Sequence, residues 1–234
     1  MTRGFDDLEP VAVESAASMI ADQIRQRIMD GSFAPGTQLG EVQLTERIGM
    51  SRGPVREAMQ RLIQEGLLRA ERHRGVFVVE LDDDDIADIY LARRAIEGTA
   101  LTLLAQRRSD DEVFQTIEAL VDQMEAAAER HNWADMADLD LRFHEMIVAA
   151  TGSKRLVRMF RTLMAETRMC LTELESGYAV WRDLVGEHRM LLDLARRGKR
   201  GELLRAFQQH LDSAVRDLLA SRAELVDRRA LEAE

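Results

Sequence analysis

Aspartate and histidine side chains at four positions could together hold a metal ion. Asp140 and His144 are four residues apart, which places a carboxylate and an imidazole on one face of a helix. His188 and His210 each lie in an apolar stripe of a later helical segment. Because a buried imidazole without a partner costs free energy, these rings need a hydrogen-bonding partner or a cation. Three imidazoles and a carboxylate that converge would bind a divalent metal; otherwise they are hydrogen-bonded core residues.

A second group of residues has the chemistry to contact nucleic acid. Residues 47–74 contain seven arginines against three acids, in a chain whose formal net charge is −10. Arg52 and Arg56 lie four residues apart in the first turns of a predicted helix, and arginine makes bidentate bonds to guanine and to phosphate. Their position opposes the helix dipole, which favours a functional role. The alternative is that they only pair with Glu57 or with other acids.

Three helices are predicted to position these arginines. Apolar residues at helical spacing predict a first helix that ends at residues 30–31, a second over 41–48 and a third over 52–65. Gly49 is placed to end the second helix in a left-handed conformation, and Ser51 to cap the third. The short connection between the last two helices is typical of a helix-turn-helix.

A hairpin with a basic tip follows the helices. Residues 67–71 and 76–79 are predicted strands, and they flank the tip formed by Arg72, His73, Arg74 and Gly75. Three helices followed by a hairpin predict a winged helix-turn-helix domain over residues 14–81.

The remainder of the chain is predicted to be an antiparallel all-α helical bundle, the second domain, over residues 86–220. It contains no strand candidate, and its apolar stripes predict helices over residues 86–107, 110–130, 133–150, 154–175, 180–197 and 201–222. The charged end, Asp227–Glu234, is expected to fray. The predicted fold class is therefore mainly α, with an N-terminal winged helix-turn-helix.

Composition limits the cellular context. A single cysteine, Cys170, excludes a disulfide framework and a multi-cysteine zinc site, and it suits a reducing cytosol. No apolar run approaches the roughly 18–20 residues that cross a bilayer. Residues Met1–Pro10 are polar and acidic, so no export signal is visible. We expect a cytoplasmic protein with no membrane partner.

The N-terminal domain resembles GntR-type transcription regulators of the FadR branch. The resemblance lies in the string SRGPVREA at residues 51–58, in Glu65-Gly66-Leu67-Leu68, and in Arg74-Gly75 with Val78. It implies that Arg52 and Arg56 contact double-stranded operator DNA and that the tip of the wing enters the minor groove. The implied DNA-binding residues are Ser51, Arg52, Gly53, Arg56, His73, Arg74 and Gly75. The family usually has a threonine where Gly53 stands, so one hydroxyl contact to DNA is missing.

The bundle resembles the family's C-terminal FCD ligand-binding domain in its six-helix, metal-binding variant. Such members carry Asp-x-x-x-His on one helix and a histidine on each of the last two, which implies that Asp140, His144, His188 and His210 are the ligands. The implied cofactor is one divalent ion per chain, zinc, nickel, manganese or iron. Its open positions would accept a small carboxylate effector. Arg93 is expected either to bind a second carboxylate of that effector or to lie on the surface and pair with Glu97.

These observations favour a dimeric, ligand-responsive regulator, and the family resemblance implies a repressor. A homodimer would read a pseudo-palindromic operator whose half-sites lie roughly one helical turn apart. The first alternative is a metal-dependent hydrolase or lyase that uses the three-His/Asp site, although no nucleophile–base pair is visible beside the four ligands. The second alternative is a helical dimerisation scaffold with hydrogen-bonded core histidines.

Overall fold

Nine helices and three short strands lie in residues 15–107, 111–172 and 178–232, the residues that this computed structural model describes. Residues up to Gln64, together with Leu68–Val78, form a first unit, and Glu65–Leu67 with all residues from Val79 form a second. The predicted fold class is confirmed, because a helical bundle follows a winged helix-turn-helix.

The first unit is built around three helices: α1 (Ala16–Met29), α2 (Glu41–Ile48) and α3 (Arg52–Gln64). The Ser15 side chain accepts from the backbone amide of Ser18 and caps α1. Gly49 ends α2 at φ 69°, a left-handed conformation that glycine adopts without steric cost. The turn that this glycine makes sets the direction of α3.

A three-stranded antiparallel sheet completes the first unit, in the order β1-β3-β2. Its strands are β1 (Gln38–Leu39), β2 (Leu68–Glu71) and β3 (Gly75–Val78). The hairpin of β2 and β3 matches the sequence prediction. The prediction omitted β1, which is only two residues long and shows no alternation of apolar residues.

The second unit contains six helices: α4 (Asp83–Leu104), α5 (Asp111–Glu129), α6 (Trp133–Ala149), α7 (Lys154–Thr172), α8 (Tyr178–Arg196) and α9 (Arg200–Glu232). Asp82 caps α4, and Asp85 returns a bond to the backbone of Asp82 in a capping box. Helix α4 packs against α6, α7, α8 and α9. The core between them is largely apolar, and its few buried polar residues include the four candidate ligands.

Fraying was predicted for Asp227–Glu234, but α9 continues to Glu232, so this prediction is wrong for residues 227–232. The sequence after residue 220 contains no glycine or proline and is rich in alanine, leucine, arginine and glutamate, which favour helix. Residues 108–110 and 173–177, which include the predicted start at 110 and the predicted end at 175, lie outside the described residues, as does Met1–Pro10. Among the residues described, no helix has the length and hydropathy to cross a membrane.

Candidate metal centre and nucleic-acid surface

Four side chains from three helices meet in the interior of the second unit. Asp140 and His144 come from α6, His188 from α8 and His210 from α9. Their potential ligand atoms all lie within 4.8 Å of one another, and all four residues are buried. The structure thus brings together the four residues that the sequence suggested.

Each imidazole in this cluster is held through its Nδ1 atom by an acceptor outside the cluster. His144 donates to the Glu97 carboxylate on α4. His188 Nδ1 donates to the carbonyl oxygen of Leu184 at 2.7 Å, and His210 Nδ1 donates to Glu187 Oε2 at 2.7 Å. In the neutral form of each ring the proton lies on this Nδ1, so that Nε2 presents a lone pair to the centre of the cluster.

These lone pairs face other acceptors. His188 Nε2 lies 3.0 Å from Asp140 Oδ1 but makes no hydrogen bond. His210 Nε2 lies 3.4 Å from His144 Nε2. A cation satisfies such a group of converging acceptors, and three imidazole nitrogens with one carboxylate oxygen are a ligand set for zinc and similar divalent ions. The residues present could therefore hold a metal ion.

Local electrostatics favour the protonation states that a metal needs at His210 and Asp140. At His144 burial alone would lower the pKa, but Glu97 and Asp140 raise it above its usual value. Burial lowers the pKa of His210 to about 4, even though Glu187 opposes that shift. Burial alone would raise the pKa of Asp140, but His144 and His188 hold it well below its usual value. At neutral pH, His210 is consequently neutral and Asp140 is ionised, as metal ligands must be.

Arg93 and Glu97 form a buried ion pair beside the cluster. Arg93 Nε donates to Glu97 Oε1 at 2.9 Å, and the side chains are 2% and 0% exposed. The guanidinium carbon lies 4.7 Å from the centre of the Tyr90 ring, which adds a cation–π contact. Arg93 Nη2 is buried with no hydrogen-bond partner in the described part of the chain. Arg93 thus pairs with Glu97, as one alternative stated, but in the interior and not on the surface.

In the first unit, the predicted DNA-binding residues of α3 are exposed. Ser51, Arg52 and Gly53 lie at the start of the helix, and all three are accessible to solvent. Arg56 lies one turn later and has a 66% exposed side chain, which makes an ion pair with Glu41 of α2. The partner is therefore an acid of the preceding helix and not the adjacent Glu57.

The tip of the wing is an ordered basic turn. His73 has φ 62° and Gly75 has φ 110°, so two residues of the tip are left-handed. Gln38 of β1 donates to the carbonyl oxygen of Arg74 at 2.6 Å and ties the tip to the sheet. The Arg74 side chain is 72% exposed, pairs with Glu71 and lies over the Phe77 ring. His73, Arg74 and Gly75 are therefore all accessible to a partner.

Family models match both units. The model for bacterial regulatory proteins of the gntR family matches residues 16–78, and the FCD domain model matches residues 88–213. The chain belongs to the GntR family and carries an FCD domain.

Known proteins of similar sequence and structure are regulators of the same kind. The GntR–FCD chain is 38% identical, over 131 residues, to an HTH-type transcriptional regulator from the TAR-I ttuE-ttuC' intergenic region of Agrobacterium vitis (55% of this chain, 77% of the relative). It is 26% identical, over 219 residues, to the gluconate operon transcriptional repressor of Bacillus licheniformis (90% and 89%). A solved GntR regulator from Rhodococcus sp. RHA1 shares the fold, with a TM-score of 0.73 at 23% identity (88% and 99%).

Membership of this family decides the class of protein. GntR–FCD proteins regulate transcription by binding DNA, so the chain is a DNA-binding transcriptional regulator. The alternative of a hydrolase or lyase is excluded, since neither the family nor the relatives are enzymes.

Sequence reasoning missed the residues that orient the imidazoles of this GntR–FCD regulator. It considered Glu97 only as a partner of Arg93, whereas Glu97 also accepts from His144. It gave no role to Glu187 or to the Leu184 carbonyl. A signal for Glu97 was present, because this acid lies on the apolar face of α4 that contains Tyr90 and Ala100. No such signal marks Glu187, which is half-buried beside His188.

Proposed function

We propose that this regulator holds one divalent metal ion per chain between Asp140, His144, His188 and His210. The observation that carries the proposal is the set of converging acceptors, above all the buried Nε2 of His188 with no hydrogen-bonding partner. Glu97, Glu187 and the Leu184 carbonyl keep each Nε2 directed at the centre. Outer-shell acceptors of this kind fix the tautomer and raise the basicity of a histidine ligand.

Metal content of the purified protein tests this proposal. We expect close to one equivalent of zinc, nickel, manganese or iron per chain by plasma mass spectrometry, and its loss in His188→Ala and in His210→Ala. His131→Asn is the matched control, since it removes a histidine outside the cluster and asparagine tolerates the φ of 54° there. Wild-type protein that contains no metal, and whose unfolding temperature does not change with added zinc or nickel, would show that the histidines are ordinary core residues.

The same site is proposed to bind a small organic acid, the effector. A bound divalent ion supplies open coordination positions that accept carboxylate oxygens. The buried Nη2 of Arg93 offers a charge-assisted hydrogen bond to a second carboxylate of such an acid. Arg93 lies on α4, whereas the four metal-binding candidates lie on α6, α8 and α9. An acid held by both would change how α4 packs against the other helices.

We propose that this change in the packing of α4 alters operator binding. In this proposal, residues 14–81 are the DNA-binding domain, and residues 86–220 are the effector-binding and dimerisation domain. The proposed DNA contacts are Ser51, Arg52, Gly53, Arg56, His73, Arg74 and Gly75, and the proposed state is a homodimer that represses transcription. Repression is supported by the likeness to the gluconate operon repressor. Sedimentation of the protein alone and on a pseudo-palindromic duplex tests the dimer.

Paired titrations test the link between effector and DNA. A duplex selected from a random pool by the protein itself serves as the operator, and gluconate and citrate serve as the first acid probes. A coupling on the order of 1–3 kcal/mol is expected, and the duplex must weaken acid binding by the same factor as the acid weakens duplex binding. The coupling should disappear in His210→Ala. An acid that displaces wild type and His210→Ala equally well would show that its signal does not pass through the metal site.

A further inference from the structure

The ion pair between Arg56 and Glu41 connects the two helices of the helix-turn-helix. Glu41 is the first residue of α2, and Arg56 lies one turn into α3. Arg56 Nε donates to Glu41 Oε2 at 3.0 Å, and Arg56 Nη2 donates to Glu41 Oε1 at 2.9 Å. The Glu41 carboxylate therefore accepts two parallel hydrogen bonds from one side of the guanidinium. This bidentate contact fixes the plane of the guanidinium as well as its position.

The pair leaves the outer edge of the guanidinium unused. Arginine has five N–H donors, and Glu41 takes one from Nε and one from Nη2. The remaining three are on Nη1 and on the far side of Nη2, and together they form a second fork. Guanine presents O6 and N7 in the major groove as two neighbouring acceptors that match such a fork. Glu41 thus orients Arg56 without blocking the edge that can contact a base.

We infer that Glu41 is a positioning residue that holds Arg56 for contact with one base pair of the operator and thereby sets the preference at that position. The inference rests on the proposed role of Arg56 as a base contact. An exposed arginine otherwise samples many rotamers, and fixing one of them costs conformational entropy when DNA binds. Glu41 pre-orders the side chain before DNA arrives.

A different role for Glu41 predicts the opposite effect on DNA binding. Glu41 lies in the first turn of α2, where an acid also favours the helix dipole, and Gly40 before it provides no side-chain cap. If Glu41 acts only there, its carboxylate is simply a negative charge near DNA that repels phosphates. Removing that charge would then tighten the binding of every duplex. A positioning residue behaves otherwise, because its removal weakens the preferred duplex and tightens random DNA.

The experiment uses full-length wild type, Glu41→Gln, Glu46→Gln and Arg56→Ala. Wild type first selects its preferred duplex from a random-sequence pool. Dissociation constants are then measured at one salt concentration for that duplex, for its single-base-pair variants and for a random duplex. Glu46→Gln is the matched control, since Glu46 is an exposed acid on the same helix. Unfolding curves verify that each variant is folded.

We expect Arg56→Ala to lose its preference at one base pair and Glu41→Gln to lose about fivefold or more of the discrimination at that same base pair. Glu41→Gln should bind the random duplex as tightly as Glu46→Gln does, and it should change nothing further in the Arg56→Ala background. Equal tightening of the preferred and random duplexes in Glu41→Gln would overturn the inference and leave the role of Arg56 intact. Full discrimination in Arg56→Ala would instead overturn the base contact, and the inference with it.

Discussion

Loss of the Glu97 charge is predicted to lower the stability of the protein, because Glu97 forms a buried ion pair with Arg93. Replacement of Glu97 by glutamine keeps the volume of the side chain but removes its charge. Glu97 is fully buried and accepts from both Arg93 and His144. Glutamine can accept through one oxygen only, and its amide group places a donor where the second acceptor was. Arg93 is then left as a buried cation without its ionised partner.

The size of the effect follows from burial. Loss of one member of a buried ion pair costs about 3–5 kcal/mol, because the other charge remains desolvated. Arg93 cannot escape this cost by losing its proton: burial lowers its pKa, but Glu97 and the neighbouring groups hold the pKa above its usual value. In a protein of this size, such a loss lowers the midpoint of thermal unfolding by about 6–20 °C.

Calorimetry and urea unfolding of the metal-free protein measure this loss. Chelator keeps metal binding from adding to the stability of any variant. The companion variants are Arg93→Met and the double variant Arg93→Met/Glu97→Gln. Since the double variant contains neither charge, it should be more stable than the sum of the two single losses predicts, by at least about 2 kcal/mol.

Two results would refute this reasoning. A Glu97→Gln protein that unfolds within about 1 kcal/mol of wild type would show that Arg93 does not depend on the carboxylate for compensation. Strict additivity of the two single losses in the double variant would show that the side chains contribute independently.

Three further predictions concern the pH dependence, the DNA contacts and the turn of the helix-turn-helix. His210 has a pKa of about 4 in the native protein, whereas a histidine of the unfolded chain has the ordinary pKa of 6.5. The unfolded chain therefore binds a proton first as the pH falls, and the free energy of unfolding should decrease by about 3 kcal/mol between these two pKa values. Urea unfolding of metal-free wild type and His210→Gln tests this, and an equal slope in both would contradict it. Arg52→Ala should cost about 1–3 kcal/mol of binding to the selected duplex, whereas Arg74→Ala should weaken all duplexes equally and reduce the salt slope by about one. Fluorescence anisotropy at several salt concentrations distinguishes these outcomes, and an equal loss on random DNA would make Arg52 a phosphate contact. In Gly49→Ala the free energy of unfolding should fall by about 1 kcal/mol. The added carbon would meet no atom within 4 Å, so this loss comes from the φ of 69° alone. An unchanged urea midpoint would contradict this.

The periodic spacing of apolar residues was sufficient to predict the helices. The prediction of 41–48 agrees with α2 (Glu41–Ile48), because an apolar stripe and a terminal glycine delimit this helix. Helix α9 extends past the predicted 222, because the prediction treated the charged end as frayed although its residues are good helix formers. Strand β1 was missed because two residues contain no period.

The same contrast applies to the sites. Asp140, His144, His188 and His210 could be selected because ligand types on apolar helix faces are visible in a sequence. The acceptors that bind the Nδ1 atoms of the imidazoles could not be selected from the sequence, since the acceptor that faces each Nδ1 depends on how the helices pack. Glu41 lies 15 residues before Arg56, across the turn, so spacing along a single helix could not identify this pair.

The capping box at the start of α4 has a consequence for the design of chimaeric proteins that combine units from different members of the family. The backbone amide of Asp85 donates to the Asp82 side chain at 2.8 Å, and the backbone amide of Asp82 donates to the Asp85 side chain at 3.0 Å. Helix α4 thus begins with bonds made by its own first residues, and none of these bonds involves the strands or helices that precede Asp82. These two bonds can form whatever sequence precedes Asp82. Asp82 therefore keeps its cap in chimaeras in which a different DNA-binding unit is fused ahead of α4, provided that the preceding residues of the second unit, Glu65–Leu67 and 79–81, are retained.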